Sequence, residues 1–376
     1  MHLAFALYKY FPYGGLARDF MRIANICIEK GHSVDVYVME WQGELVTGCN
    51  VHILSPNGWS NHARVASFHR RFAERLEHEQ YDVVIGFNKI PGVGVYYAAD
   101  PCYVDRFTDA SFLEKLNPRY RFYAAAEEAV FGMDSETVCL MISDVQTELF
   151  KEHYHTPMER LVALPPGIDL NRRKSVDAQQ RRKTFRKKLQ LAENEILVLM
   201  VGSAFKTKGV DRAIKAIAIL PEMLRLKTHL MVVGEGDAGS YEHLANQMGV
   251  ADHVHFMGGR SDVPDFLLAA DLLVHPARKE NTGTVILESM VAGLPMLVTG
   301  VCGYAKHVRK SMAGEVLPLP FSQVALNGVL EKMLMCDKDK WINHALEYAD
   351  NEDLYSMPEK AVEAIEKVAE RLVNAF

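Results

Sequence analysis

The chain has 376 residues, more than one hydrophobic core usually supports, so two domains are expected. Apolar residues make up 49% of the sequence, and the net charge of -6 argues against general nucleic-acid binding. No apolar segment approaches the roughly 18 residues that suggest a membrane span, and the N-terminus enters a strand pattern without a basic, cleavable leader. The six cysteines show no metal-binding spacing and are typical of reduced, mostly buried cytoplasmic thiols.

Short apolar segments alternate with helical patterns in the first half of the chain. Such alternation favours βαβ units and a parallel sheet. The alternation is interrupted at residues 164–168, where Leu-Pro-Pro-Gly-Ile forms a rigid connector. Strands are predicted at 3–7, 34–39, 51–54, 83–87 and 138–142, and helices at 16–30 and 62–79.

The same alternation begins again after the connector and predicts a second doubly wound domain. The basic residues between 172 and 188 are interpreted as a solvated helix at the start of this domain. The fold class is therefore α/β, with two Rossmann-like parallel-sheet domains at residues 1–166 and 167–354. Ligands of such sheets bind beyond the carboxyl ends of the strands, so we expect the site in a cleft between the domains. Strands are predicted at 196–202, 229–233, 254–256, 271–274 and 296–298.

Two glutamates eight residues apart, Glu280 and Glu288, are the most informative feature of the sequence. They follow the predicted strand at 271–274, and a helix is expected to begin near Gly283. A helix N-terminus offers unpaired N–H groups and a partial positive charge, which suit a phosphate. Carboxylates on either side accept hydrogen bonds from sugar hydroxyls. The arrangement predicts a nucleotide-sugar site, whereas two solvated helical glutamates are the simpler alternative.

Two further glycine-containing loops follow predicted strands. The first contains Gly14 and Gly15, with Asp19 one turn later, and the second contains Ser203 and Lys208. Glycine allows the backbone to approach a ligand closely, and a helix start attracts anions. An ordinary βα turn and a solvated lysine explain the same residues without a ligand.

Two charged residues also follow predicted strands. Arg260 can stack on a base and pair with an anion, and Asp100 is expected near the cleft. A surface arginine and a turn aspartate are their simpler interpretations.

Residues 275–288 resemble the E-x7-E signature of retaining glycosyltransferases of family 4, which have the GT-B fold. Lys208 before Gly209 matches a family lysine that neutralises donor phosphate, and Arg260 matches the arginine beside the uracil and phosphates. Ser203 stands where the family often has an arginine, Thr207 replaces a basic residue, and Asn281-Thr282 replace small residues. The chain is similar over nearly its whole length to the bacterial lipopolysaccharide core glucosyltransferase I family. This similarity is carried by residues 7–19, 86–92, 98–100, 164–168, 209–212, 301–305 and 353–360.

The resemblance implies a retaining transfer of glucose from UDP-glucose to an inner-core heptose of lipopolysaccharide, with an alpha-1,3 linkage. It also implies that helix 355–376 packs back on the first domain. Alternatives are another donor sugar or acceptor, a sugar-nucleotide epimerase, or a catalytically silent binder. No cofactor is expected beyond the donor substrate, and no metal, because no Asp-x-Asp pair lies near the phosphate loops.

By resemblance, Glu288 binds ribose hydroxyls, Glu280 and Asp19 bind glucose hydroxyls, and Lys208 and Arg260 stabilise the leaving UDP. The predicted catalytic residues are Glu280, Asp19, Asp100 and Lys208. The predicted donor-binding residues are Gly14, Gly15, Ser203, Lys208, Arg260, Glu280, Thr282, Gly283, Thr284, Val285 and Glu288.

The expected acceptor is a lipid-linked core oligosaccharide, so the resemblance implies a peripheral enzyme at the cytoplasmic face of the inner membrane. Residues 103–131 interleave basic and aromatic side chains, as a membrane interface prefers. Lys115, Arg119 and Arg121 are the candidate docking cations, although acidic residues such as Glu127 and Glu128 offset them. An ordinary packed helix is the alternative.

Overall fold

The computed structural model describes residues 1–12, 14–45 and 47–374. They form two compact units, the first comprising Met1–Gly167 and the C-terminal segment from Tyr355, the second Ile168–Leu354. Each unit is built on one parallel sheet, of seven and six strands respectively. This confirms the predicted fold class of two Rossmann-like domains. The division between the units falls within one residue of the boundary expected at the proline-rich connector.

All strand pairs in both sheets are parallel, because every neighbour is reached through a crossover. The first sheet has the order β3-β2-β1-β4-β5-β6-β7 and the second β10-β9-β8-β11-β12-β13. The strands are β1 (His2–Tyr10), β2 (Ser33–Trp41), β3 (Cys49–Ile53), β4 (Val83–Gly86), β5 (Val95–Ala98), β6 (Val138–Met141), β7 (Leu161–Ala163), β8 (Ile196–Val201), β9 (Thr228–Val233), β10 (Val254–Gly258), β11 (Leu272–His275), β12 (Met296–Thr299) and β13 (Gly314–Leu317).

Helices connect the strands. In the first unit they are α1 (Gly15–Glu29), α2 (Asn61–Leu76), α3 (Phe112–Lys115), α4 (Pro118–Phe131) and α5 (Asp144–Tyr154). In the second unit they are α6 (Ala178–Lys188), α7 (Phe205–Lys208), α8 (Val210–Ala218), α9 (Glu222–Arg225), α10 (Gly239–Gln247), α11 (Val263–Ala269), α12 (Thr284–Ala292), α13 (Ala305–Ser311), α14 (Gln323–Met335) and α15 (Asp339–Asn351). The C-terminal helix is α16 (Met357–Val373).

The strand order of each sheet reverses direction at one point, between β1 and β4 in the first unit and between β8 and β11 in the second. At such a topological switch point the connections diverge to opposite faces, which opens a crevice beyond the carboxyl ends of the two strands. The loops after β1, β4, β8 and β11 are therefore the natural positions for a ligand.

The C-terminal helix α16 packs on the core of the first unit. Its Ala361 and Ile365 are almost fully buried in the same apolar cluster as Phe5 of β1 and Phe20 of α1. Apolar residues three to four positions apart form one helical stripe, and that stripe must be covered to be stable in water. The last helix of the chain thus completes the domain that the first strand begins.

The basic segment near residue 180 was predicted to be a solvated helix, and for three of its arginines this is wrong. Arg182 donates to the carbonyl oxygens of Leu268, Ala269 and Ala270, at 2.6–2.9 Å. Arg186 is 8% exposed and also binds the Ala269 carbonyl. These carbonyls end α11 and have no partner within that helix, so the guanidinium groups supply the missing donors. Arg181, on α6, pairs with Asp265 of α11.

Among the described residues, none of the helices combines the length and the apolar character that crossing a bilayer requires.

Candidate functional site

Two loops of the second unit meet at the β8/β11 switch point. The β8 loop runs through α7 to Gly209, and the β11 loop runs from Pro276 to Gly283. Gly209 has a φ of +77°, and a Cβ there would lie 2.2 Å from the Pro276 carbonyl oxygen. Only glycine fits at this close approach of two backbones.

Hydrogen bonds of Arg278 and Arg212 fasten the β11 loop to the β8 loop and to the start of α8. The amide of Arg278 donates to the Thr207 carbonyl at 2.8 Å, and its guanidinium pairs with both Asp211 carboxylate oxygens at 2.7 and 2.8 Å. Arg212 donates to the carbonyls of Pro276 and Ala277. The bidentate Arg278–Asp211 geometry is among the strongest side-chain pairings. The positions of both loops are therefore fixed before any ligand binds.

The loops bring Lys208 and Glu280 together. Lys208 Nζ donates to Glu280 Oε2, and His275 Nε2, at the end of β11, lies 2.9 Å from the same oxygen. Burial would raise the pKa of Glu280, whose side chain is 11% exposed, but the His275 hydrogen bond and the Lys208 charge outweigh burial and hold the pKa at about 2. Within the described chain, Oε1 has no hydrogen-bond partner, so it can accept a bond from a ligand hydroxyl.

The start of α12 lies directly after Glu280. Gly283 is its N-cap with a φ of +83°, Thr284 is its first residue, and Val285 follows in the first turn. No described side chain caps this end, so its first amides are oriented for an external acceptor. The Thr282 carbonyl accepts a hydrogen bond from the Tyr304 amide at 2.8 Å, which holds Thr282 in place. An ionised carboxylate and an uncapped helix start are therefore adjacent.

Glu288 lies on α12 and is only 6% exposed. Its carboxylate oxygen Oε1 is 3.7 Å from Nε of Arg172, which lies just after the connector between the two units. Arg172 places a positive charge beside this carboxylate, although the sequence suggested only a solvated position for it.

Ser203 and Arg260 already have partners within the protein. Ser203 Oγ accepts from the Glu235 amide at 3.2 Å, which ties the β8 loop to the loop after β9. Arg260 forms a bidentate pair with Asp262, at 2.7 and 2.8 Å. It follows β10, two strands from β8. To bind a phosphate, the Arg260 guanidinium must divide its N–H donors between Asp262 and the phosphate, or release Asp262.

The predicted residues of the first unit lie at its own switch point. Gly14 is the N-cap of α1 and Gly15 its first residue, again without a capping side chain among the described residues. Asp19, on the same helix, accepts a 2.9 Å hydrogen bond from the Tyr97 hydroxyl. Burial raises the pKa of Asp19, although the charges of Arg18 and Arg22 and the Tyr97 bond oppose the rise.

Asp100 lines a cavity of about 380 Å³ beyond β1, β4 and β5, together with Tyr8 and Asn88. The Asn88 side chain donates to Asp100 Oδ2 at 3.1 Å, and its Oδ1 accepts from the Tyr8 amide at 2.8 Å. This network fixes the orientation of the carboxylate. Asp100 and Asp19 both belong to the first unit, whereas Glu280 and Lys208 belong to the second.

Sequence reasoning missed His275, Arg278 and Arg172. His275 and Arg278 lie within residues 275–288, and a histidine at a strand end was the available signal. The partner of His275 is 5 positions away along the chain, and the partner of Arg278 is 67 positions away. Only the second pairing depends on the tertiary structure. Within the parts of the chain that the structure describes, no three His, Cys, Asp or Glu side chains are grouped to bind a metal.

Two family models match the chain. The model described as glycosyl transferases group 1 matches residues 181–348, and that described as glycosyltransferase family 4 matches residues 13–172. The lipopolysaccharide glucosyltransferase WaaG of Escherichia coli strain K12 is 45% identical over 97% of this chain and 98% of its own length. The chain belongs to the lipopolysaccharide glucosyltransferase family. It is a glycosyltransferase, and the resemblance seen in the sequence is confirmed.

Solved structures agree with this family. A crystal structure of WaaG, a glycosyltransferase involved in lipopolysaccharide biosynthesis, superposes with a TM-score of 0.92 at 45% identity and covers 96% of this chain and 99% of its own. Anabaena Alr3699/HepE in complex with UDP and glucose has a TM-score of 0.76 at 17% identity, covering 98% of this chain and 100% of its own. The second similarity shows the GT-B fold alone.

Glu280 predicts a pH dependence of folding stability. Since its pKa is lowered from 4.5 to about 2, its contribution is complete above the unfolded pKa and is lost as the pH falls through the folded one. We expect the unfolding free energy of the wild type, minus that of Glu280→Gln, to fall by about 2 kcal/mol between about pH 5 and pH 3. Urea denaturation measures it, and the exposed Glu193→Gln is the control. A pH-independent difference would contradict the assignment.

Proposed function

We propose that this glycosyltransferase is a retaining enzyme that transfers glucose from UDP-glucose to an inner-core heptose of lipopolysaccharide, forming an alpha-1,3 linkage. The observation that carries the proposal is the ionised Glu280, held by Lys208 and His275 beside the uncapped start of α12. The 45% identity to a lipopolysaccharide glucosyltransferase supports the same activity.

The donor is expected to bind across the second-unit loops. The amides of Gly283 and Thr284 face the diphosphate, and Glu280 accepts a hydrogen bond from a glucose hydroxyl. Glu288, which lies beside Arg172, binds the ribose hydroxyls. Lys208 shares its charge between Glu280 and the diphosphate, and Arg260 contributes after loosening from Asp262.

The reaction breaks the bond between the glucose anomeric carbon and the UDP oxygen. The acceptor hydroxyl oxygen bonds to that carbon from the same face, and its proton passes to the departing diphosphate. Lys208 and the α12 amides stabilise the negative charge that develops on UDP, and this electrostatic effect is a large catalytic contribution. Asp19 and Asp100 of the first unit bind sugar hydroxyls and orient donor glucose and acceptor, respectively.

A lipid-linked acceptor requires docking at the cytoplasmic face of the inner membrane. The short helix α3 exposes Phe112 and Leu113, with 76% and 78% of their surfaces accessible. Glu127 is fully buried against Lys89 and so does not offset surface cations, which corrects the charge balance inferred from the sequence. Arg119 lines the cavity of the first unit. Lys115 and Arg121 with the apolar α3 residues are thus the better docking candidates.

Two glutamate substitutions test the donor site. Glu288→Gln should raise the dissociation constant for UDP at least tenfold, because a hydrogen bond to a charged group is worth roughly 1.5–3 kcal/mol. Glu280→Gln should mainly lower kcat, because its Oε1 positions the reacting sugar. Calorimetry and UDP release measure these effects, with Glu193→Gln as control. Wild-type kinetics in both folded variants would refute the donor assignment, and UDP release without acceptor would indicate a different reaction.

The diphosphate charge provides a second test. Because Lys208 and the start of α12 supply positive charge, activity should survive EDTA, while Lys208→Ala should lose most turnover. Lys206→Ala, two residues earlier and exposed, is the matched control. Complete inhibition by EDTA that Mg²⁺ reverses is incompatible with this proposal.

Membrane docking is tested with vesicles containing phosphatidylglycerol. Basic residues near an anionic surface contribute about 1 kcal/mol each, and the attraction fades with salt. Lys115→Glu with Arg121→Glu should release the protein from vesicles and leave UDP affinity unchanged. Lys183→Glu with Lys187→Glu, on the exposed side of α6, makes the same charge change elsewhere. Release by this control pair alone would place the docking surface on α6.

A further inference from the structure

The cavity of the first unit combines features that recognise a sugar. Its floor carries Tyr8, Asn88 and Asp100, fixed by the hydrogen bonds described above. Tyr103 and Tyr123 line its wall, with ring centroids 5.4 Å apart. Amide and carboxylate groups bind hydroxyls, and aromatic rings pack against the apolar face of a sugar ring. The volume of about 380 Å³ is enough for one sugar residue.

The same cavity has a surplus of positive charge. Of its lining cations, Lys9 pairs with Glu40 at 2.7 Å, and Lys89 pairs with the buried Glu127. The guanidinium groups of Arg106 and Arg119 form neither an ion pair nor a hydrogen bond with any residue in the described part of the chain, although the Arg119 amide donates to the Asn117 side chain at 2.9 Å. The chain as a whole carries a net charge of -6. Two exposed guanidinium groups without a carboxylate partner therefore border one cavity.

A single buried carboxylate joins the two segments that carry the arginines. Glu127 is fully buried on α4, the helix whose first turn carries Arg119. Its oxygens accept from the amides of Tyr103 and Val104 at 2.7–3.1 Å, and from the Tyr154 hydroxyl at 2.9 Å. Those amides open the turn that carries Arg106. Burying a charge without such partners would be costly, so this arrangement ties the turn that carries Arg106 to the helix that carries Arg119.

We propose that this cavity binds an acceptor sugar that carries an anionic group, a carboxylate or a phosphate, and that Arg106 and Arg119 recognise that group. A planar guanidinium matches either anion with two parallel hydrogen bonds. The sugar ring packs on Tyr103 and Tyr123, and Asp100 faces the hydroxyls. The inference rests on the proposed glucosyltransferase activity and names the chemistry that its acceptor site selects.

The test uses deacylated oligosaccharide from heptose-terminated lipopolysaccharide, which removes the bilayer from the assay. The wild type is compared with a double variant that carries Arg106→Gln and Arg119→Gln. Both proteins are assayed on the intact, the carboxyl-reduced and the dephosphorylated oligosaccharide. On the intact form, the double variant should raise the acceptor KM roughly ten- to a hundredfold, with kcat and UDP affinity unchanged. The form that lacks the recognised anion should show the same high KM with both proteins.

The control is Arg70→Gln, an exposed arginine on α2 outside the cavity lining. The carboxyl-reduced and dephosphorylated forms separate the two sources of the anion. An unchanged KM in the double variant, or an equal rise on all three forms, would overturn the inference. If the wild type transfers glucose to none of the forms, the proposed function fails instead.

Discussion

The close approach of the β8 loop to the β11 loop is the constraint on which the second-unit site depends. Gly209 allows one backbone to lie against the other, and Arg278 joins them through Thr207 and Asp211. Without this contact, Lys208 and Glu280 would lie on separate loops with no fixed distance. The contact therefore holds a cation and a carboxylate in a fixed arrangement.

The contacts of Glu280 set both the charge and the orientation of its carboxylate. Burial disfavours its charge, yet His275 and Lys208 hold its pKa at about 2, so it is a hydrogen-bond acceptor at physiological pH. Both contacts use Oε2, which orients the carboxylate. The contacts that stabilise this side chain therefore also orient its second oxygen, Oε1.

The first unit uses a buried carboxylate in a different way. Glu127 takes its hydrogen bonds from Lys89, Tyr154 and two backbone amides, so it organises the turn and the helix that border the cavity. Glu127 belongs to the segment whose composition suggested a membrane surface. That segment therefore divides into an exposed apolar part, at α3, and a part that lines the cavity.

The sequence alone determined the fold class, because strand and helix periodicities are local and repeat twice along the chain. It also located the start of α12, since glycine before a helical pattern is a local signal. It did not identify β7 and β13 as strands, because β7 has only three residues and β13 begins with Gly314 and Glu315, so neither is an apolar segment of strand length. Tertiary structure alone decided which charges are paired. Arg172 with Glu288, Arg278 with Asp211 and Lys89 with Glu127 are 116, 67 and 38 positions apart in the chain, and only the folded sheets and their connecting loops bring such residues together.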